Sequence, residues 1–159
     1  MAVQLNGDQF EMTRDLFKEL DKDGDGKITV AEFKHQIMRA RKLNNDEAED
    51  YINFLFRIYD MDGNGCLEFP EFLQIHACIT FGVDPPAYYI KQLFKALDKE
   101  NKKYISVEDV RWFCRIMKSM DESKADKLIK MLDSNKDGKI NYSEFIINYY
   151  HFKKFENGN

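Results

Sequence analysis

The stretch Asp21-Lys22-Asp23-Gly24-Asp25-Gly26-Lys27-Ile28-Thr29-Val30-Ala31-Glu32 limits what this chain can fold into more than any other. Acids stand at positions one, three, five and twelve of a twelve-residue bend, with glycine at six. A hard divalent cation such as calcium wants several oxygens around it. The side chains of Asp21, Asp23 and Asp25 can converge on one point, and the backbone carbonyl of Lys27 can join them while its charge points away. Thr29 can contribute through a water. Glu32 can bind with both oxygens while it begins the next helix. Gly26 permits the sharp turn that a Cβ resists. The pattern predicts a helix, a cation-holding loop and a second helix.

The frame recurs. Asp60 to Glu71 offers Asp60, Asp62, Asn64, the carbonyl of Cys66, Glu68 and Glu71. Asp133 to Glu144 offers Asp133, Asn135, Asp137, the carbonyl of Lys139, Asn141 and Glu144. Between them, Asp98 to Asp109 keeps the frame and loses the chemistry. The four leading aspartates are 39, 38 and 35 residues apart, an internal repeat. With three near-complete loops in register, the chain resembles the calmodulin and troponin C superfamily of EF-hand calcium-binding proteins over nearly its whole length. The resemblance implies an all-α fold: four EF-hand helix–loop–helix units paired into two lobes, with short antiparallel bridges between paired calcium loops. In this family the residues at the eighth loop position make those bridges. The pairs here are Ile28 with Leu67 and Ile105 with Ile140.

Three departures predict that the third loop, Asp98–Asp109, stays empty. Lys102 puts an ammonium where an oxygen ligand belongs. Lys103 replaces the glycine of the turn, where a left-handed conformation costs about 1 kcal/mol or more. Asp109 has a shorter arm than the glutamate it replaces. Three calcium ions are therefore expected, two in the first lobe and one in the second. The inert hand still gives the fourth something to dock on.

Apolar stripes at helical spacing flank every loop. The predicted helices run from about Gln9 to Leu20, Val30 to Leu43, Glu47 to Tyr59, Phe69 to Phe81, Ala87 to Leu97, Val107 to Met120, Ser123 to Leu132 and Tyr142 to Phe155. Asn44-Asn45-Asp46 breaks and recaps the chain. Gly82-Val83-Asp84-Pro85-Pro86 opposes helix. It divides an N-terminal lobe, residues 1–82, from a C-terminal lobe, residues 83–159. The last helix, with Phe145, Ile146, Ile147, Tyr149, Tyr150, Phe152 and Phe155, is more apolar than a solvated tail. It either packs on its own lobe or meets a partner.

A formal net charge of −4 gives no basic face for nucleic acid. The charge divides unevenly: 16 acids against 9 Lys and Arg over residues 1–82, and 12 against 15 over 83–159. The first lobe thus gathers like charges that calcium neutralises, and a basic target helix suits that lobe. No apolar run is long enough to span a bilayer. Met1-Ala2-Val3-Gln4-Leu5 is not a signal peptide, and Ala2 does not accept myristate. Cys66, Cys78 and Cys114 lack metal-site spacing and read as free thiols of a cytoplasmic protein. His35, His76 and His151 are scattered, and the carboxylates are assigned to metal, so catalysis is not expected. Trp112 reads as core.

In sensor members of the family, binding draws the position-twelve glutamate inward and swings the helix it heads. Glu32, Glu71 and Glu144 have that role here. The groove exposed in the first lobe would be lined by Phe17, Leu20, Phe33, Ile37, Tyr51, Leu55, Phe72 and Ile75, and would take an amphipathic helix of a target protein. The expected protein is a monomeric calcium sensor. Phenylalanine dominates the stripes and methionine is sparse, which leaves open a calcium buffer that barely opens. A light-chain-like regulatory subunit is the third reading.

Overall fold

Apolar periodicity and local caps set where each helix begins and ends. In the computed structural model, residues 4–42, 45–83, 87–117 and 121–156 are described. They form α1 (Gly7–Leu20), β1 (Lys27–Thr29), α2 (Val30–Arg41), α3 (Asn45–Tyr59), β2 (Cys66–Glu68) and α4 (Phe69–Phe81). There follow α5 (Ala87–Leu97), β3 (Ile105–Ser106), α6 (Val107–Ile116), α7 (Glu122–Leu132), β4 (Lys139–Ile140) and α8 (Tyr142–Glu156). The chain divides into two compact units, Met1–Tyr89 and Ile90–Asn159.

The helix starts and stops have local causes. α1 begins two residues before the predicted Gln9. The Asn6 side chain accepts the Gln9 N–H at 2.9 Å, and the Gln9 side chain accepts the Asn6 N–H at 3.1 Å. This reciprocal cap satisfies two otherwise unpaired donors. α2 ends at a left-handed Lys42, φ 52°, before the predicted Leu43. α3 starts at Asn45 rather than Glu47. Pro70 lies in the first turn of α4, where a missing N–H costs little, and Gly82 closes that helix at φ 65°. Asp121 caps α7 by accepting the Lys124 N–H at 2.9 Å. Several expectations lie outside the described residues: Met1-Ala2-Val3 of the N-terminus, Asn44 of the predicted break, Asp84-Pro85-Pro86 of the predicted divide and the last turn of the sixth helix, 118–120. The same holds for the side chains of Tyr150, His151, Phe152 and Phe155.

Two short antiparallel bridges appear in the predicted register. Ile28 faces Leu67 in β1–β2, and Ile105 faces Ile140 in β3–β4. All four side chains are buried. In the first unit, α1 packs on α4 and α2 on α3. Phe17 meets Phe69 and Phe72 edge-on, with ring centroids 5.3 and 5.6 Å apart. Tyr59 lies 5.7 Å from both Phe33 and Phe72, and burial pushes its phenol well above the usual tyrosine range. Thr13 is fully buried on α1. Its hydroxyl donates to the Gln9 carbonyl at 2.9 Å and is hydrogen-bonded with His76 Nδ1, 3.1 Å away on α4. The His76 ring stacks on Phe72 at 5.3 Å, and burial lowers its pKa. His76 therefore ties two helices together, whereas His35 is exposed.

In the second unit, α7 packs against both α6 and α8. Leu97, Phe113, Leu128, Leu132 and Phe145 form the centre. Phe94 touches Tyr142 and Phe145 edge-on, at 5.3 and 5.6 Å. Trp112 is buried as expected, with Lys99 Nζ 4.2 Å above its ring. On α8, Phe145 and Tyr149 face the core, whereas Ile146 and Ile147 are exposed.

The buried Ile28–Leu67 bridge carries a structural load independent of metal. Leu67→Ala is expected to destabilise the intact chain in chelator by about 2–5 kcal/mol. Denaturant unfolding measures this, and a change below about 1 kcal/mol would contradict the burial argument.

Candidate metal centre

Each loop is first a backbone device. The position-one carboxylate reaches across and accepts N–H groups from the far side. Asp21 Oδ1 accepts from Gly24 at 2.9 Å and from Asp25 at 3.2 Å, while Oδ2 accepts from Gly26 at 2.9 Å. Asp60 makes the same three bonds to Gly63, Asn64 and Gly65 at 2.9, 3.2 and 3.0 Å. Asp133 accepts from Asp137 and Gly138 at 3.2 and 2.9 Å. The chain turns through left-handed residues at position six: Gly26 (φ 86°), Gly65 (φ 82°) and Gly138 (φ 78°). Position four is left-handed as well, at Gly24, Gly63, Asn101 and Lys136. This second turn position is not part of the expected twelve-residue frame, and glycine in the first two loops is its one sequence signal.

The position-twelve carboxylate closes each loop. Glu32 Oε1 accepts the Lys22 N–H at 2.9 Å, and Oε2 accepts the Thr29 N–H and hydroxyl, both at 2.8 Å. Glu71 accepts from Met61 and Asp62 through Oε1, at 3.1 and 3.3 Å, and from the Glu68 N–H through Oε2 at 3.1 Å. Glu144 accepts from Asn135 at 3.3 Å and Asn141 at 3.1 Å. These glutamates therefore join the loop head to the start of the exit helix, as capping groups at the helix N-terminus.

Convergence of charge is the second feature. Carboxylate oxygens of Asp21, Asp23 and Asp25 lie within 4.8 Å of one another, as do those of Asp60, Asp62 and Glu71. No third such trio occurs among the described residues. Asn135 leaves Asp133, Asp137 and Glu144 as the acids of the fourth loop. The Asp25 N–H draws the Asp23 carboxyl down, but desolvation and the charges of Asp25 and Glu32 hold it above its ordinary value. The Thr29 N–H is the main influence that lowers Glu32. All-oxygen donors crowded with like charge fit a hard divalent ion such as calcium.

The other candidate ligands have prior engagements. The Thr29 hydroxyl is committed to Glu32, and Asn141 Oδ1 accepts the Glu144 N–H at 2.9 Å. Asn64 Oδ1 accepts from the Cys66 N–H and thiol, at 3.0 and 3.1 Å. Asp137 accepts the Lys139 N–H at 2.9 Å. The Lys27 ammonium does not simply point away: it lies 3.7 Å from Glu68 Oε1, directly across the bridge. Both side chains are about half exposed, so the pair contributes little to stability.

The third loop keeps the backbone geometry without the donor set. Asp98 accepts from Lys102 at 2.9 Å and Lys103 at 2.8 Å. Lys103 takes the left-handed turn at φ 73° despite its side chain. Asp109 accepts the Ser106 N–H and hydroxyl, both at 2.9 Å.

The EF-hand domain-pair family model matches residues 10–75 and 87–150. The chain is 30% identical over 148 residues to calcium-dependent protein kinase 5 of Plasmodium falciparum (isolate 3D7), covering 91% of this chain and 25% of that protein. It is 29% identical over 147 residues to calcium-dependent protein kinase 10 of Arabidopsis thaliana, covering 92% and 26%. The chain thus spans about a quarter of the length of these curated relatives.

Glu32→Gln separates the two uses of the carboxylate. The amide oxygen can still accept the Thr29 N–H and cap the helix, but the amide nitrogen cannot accept the exposed Lys22 N–H, which water can satisfy, and the side chain cannot supply a bidentate charged ligand. Expected is a loss of calcium affinity at the first loop of about tenfold or more, with a stability change in chelator under about 1 kcal/mol. Unchanged affinity would remove Glu32 from the ligand set.

Proposed function

The chain belongs to the EF-hand domain-pair family, and on that premise we propose that it is a calcium sensor acting on a target protein. The convergence of two acid trios in the first two loops carries this reading. The proposed ligands are Asp21, Asp23, Asp25, Lys27 O, Thr29 and Glu32 in the first loop. The second uses Asp60, Asp62, Asn64, Cys66 O, Glu68 and Glu71. The fourth uses Asp133, Asn135, Asp137, Lys139 O, Asn141 and Glu144. Three calcium ions are proposed, with Asp98–Asp109 empty. When bound, calcium supplies positive charge that offsets acid repulsion and a fixed point around which oxygens gather.

The chain's own residues do the rest. Glu32, Glu71 and Glu144 stand in the first turns of α2, α4 and α8. A small inward movement of one of these carboxylates turns the whole helix behind it. Phe17, Leu20, Phe33, Tyr51, Phe72 and Ile75 are buried in this structure, and Ile37 and Leu55 are half-buried. Rotation of α2 and α4 against α1 and α3 would uncover them as a groove for an amphipathic target helix. The β1–β2 bridge links the first two loops, so their binding is cooperative. The lobes, taken as residues 1–82 and 83–159, act as separate pairs. The relatives' names join calcium dependence to a protein kinase. We take the shared quarter to supply the calcium dependence and read this chain as regulatory rather than catalytic.

The phenylalanine-rich, methionine-poor stripes also favour a second reading, a buffer whose hands bind without opening. No described helix is long and apolar enough to cross a membrane. A cytoplasmic monomer is proposed, with the Cys78 and Cys114 side chains buried and outside any disulfide.

Calorimetric titration of the intact chain is expected to give three calcium ions per molecule, and four comparable sites would contradict the assignment. An apolar-surface dye should brighten on calcium addition. No change would replace the sensor by the buffer.

A further inference from the structure

Lys102 holds the loop position at which Asp25, Asn64 and Asp137 stand in the other hands. Its ammonium is not turned out to solvent. Nζ lies 3.0 Å from Asp109 Oδ2, 3.4 Å from Glu100 Oε2 and 4.0 Å from Asp98 Oδ1. These are the acids at positions one, three and twelve. The same three positions supply the trio of Asp60, Asp62 and Glu71 in the second loop. Asp98 and Asp109 are buried, and Lys102 itself is 21% exposed. The Tyr104 ring, 5.8 Å from Nζ, adds a face that favours a cation.

Asp109 is one methylene shorter than the glutamates of the other loops. Its Oδ2 takes Ser106 at the helix start, and Lys102 makes the connection back to Asp98 at the loop head. An ion pair thus closes the loop where Glu32 or Glu71 closes its own through backbone N–H groups. Glu100 is 77% exposed and adds little, but removing Lys102 leaves the buried Asp98 and Asp109 carboxylates uncompensated, which is more damaging than the net worth of the pair.

We propose that the Lys102 ammonium is a tethered cation that occupies the third loop in place of a metal ion, and that by fixing β3 it positions β4 and the fourth loop for calcium. Lys102 is then a positioning residue for a site it does not touch. Its path runs through Ser106, which is paired with Lys139, and through Ile105, paired with Ile140. The second lobe is half assembled at any calcium level, and its one ion binds to a strand already in register. This rests on the reading above that the third loop takes no metal and the fourth does.

The test uses the intact chain with Lys102→Met, which keeps the stem and removes the charge, and Lys102→Arg, which restores a cation. In chelator, amide exchange at Ile105 and Ile140 is expected to accelerate about tenfold or more in Lys102→Met and to return to within about threefold of the wild type in Lys102→Arg. Ile28 and Leu67 in the other unit should not change. In calcium titration, Lys102→Met should weaken the fourth loop about fivefold or more, with Lys102→Arg restoring it. Should Lys102→Met fail to fold, Lys102→Gln gives the same comparison. Equal exchange in wild type and the neutral variant would overturn the proposal, as would failure of arginine to rescue. The exchange measurement contains no metal, so its failure is distinct from a miscount of calcium sites.

Discussion

A buried or half-buried aspartate at the head of each loop accepts backbone N–H groups from the far side of the bend, and everything else is placed from that grip. The bond pattern is the same from Asp21, Asp60, Asp98 and Asp133. It forces two left-handed residues, brings the eighth residue into a bridge and delivers the twelfth to the start of a helix. The carboxylate needs no metal to do this. That is why the third hand retains the geometry after losing glycine, the middle acid and the final glutamate.

The same economy sets a conflict in the first unit. Acids aligned to grip the backbone also face one another: against the lowering Asp25 N–H bond, desolvation first and then the charges of Asp25 and Glu32 raise the Asp23 carboxyl. Like charges at this spacing oppose the compact loop, and a divalent cation relieves them. Glu32, by contrast, is held charged by the N–H groups it caps. Carboxylates of Asp21, Asp23 and Asp25 held within 4.8 Å of one another by the backbone bonds they make are placed for a cation. The third loop resolves the conflict internally, with Lys102 among the three acids.

Much of this was legible in the sequence because a twelve-residue frame fixes position by position. The register of Ile28 on Leu67 and Ile105 on Ile140 is what the family resemblance implies for the eighth loop positions, and the frame fixes which residues those are. The limits of the fourth, fifth and eighth helices follow from Pro70, Gly82 and the apolar stripes. The start of α1 was missed because Asn6 and Gln9 act as a pair across positions that carry no apolar signal. The second left-handed position was hidden because Asn101 and Lys136 occupy it in half the loops. That Lys102 puts a repelling charge where a metal ligand belongs is a property of its type. That it turns inward to Asp109 is a property of side-chain direction, set by an aspartate one methylene short. Nothing in a linear pattern gives that direction.

Anomalous diffraction from crystals grown in calcium tests the central claim most directly. The account predicts calcium density in the loops headed by Asp21, Asp60 and Asp133, and at the third loop only the Lys102 side chain among Asp98, Glu100 and Asp109. Loops one and two without metal, or an ion in the third with Lys102 displaced to solvent, would contradict it.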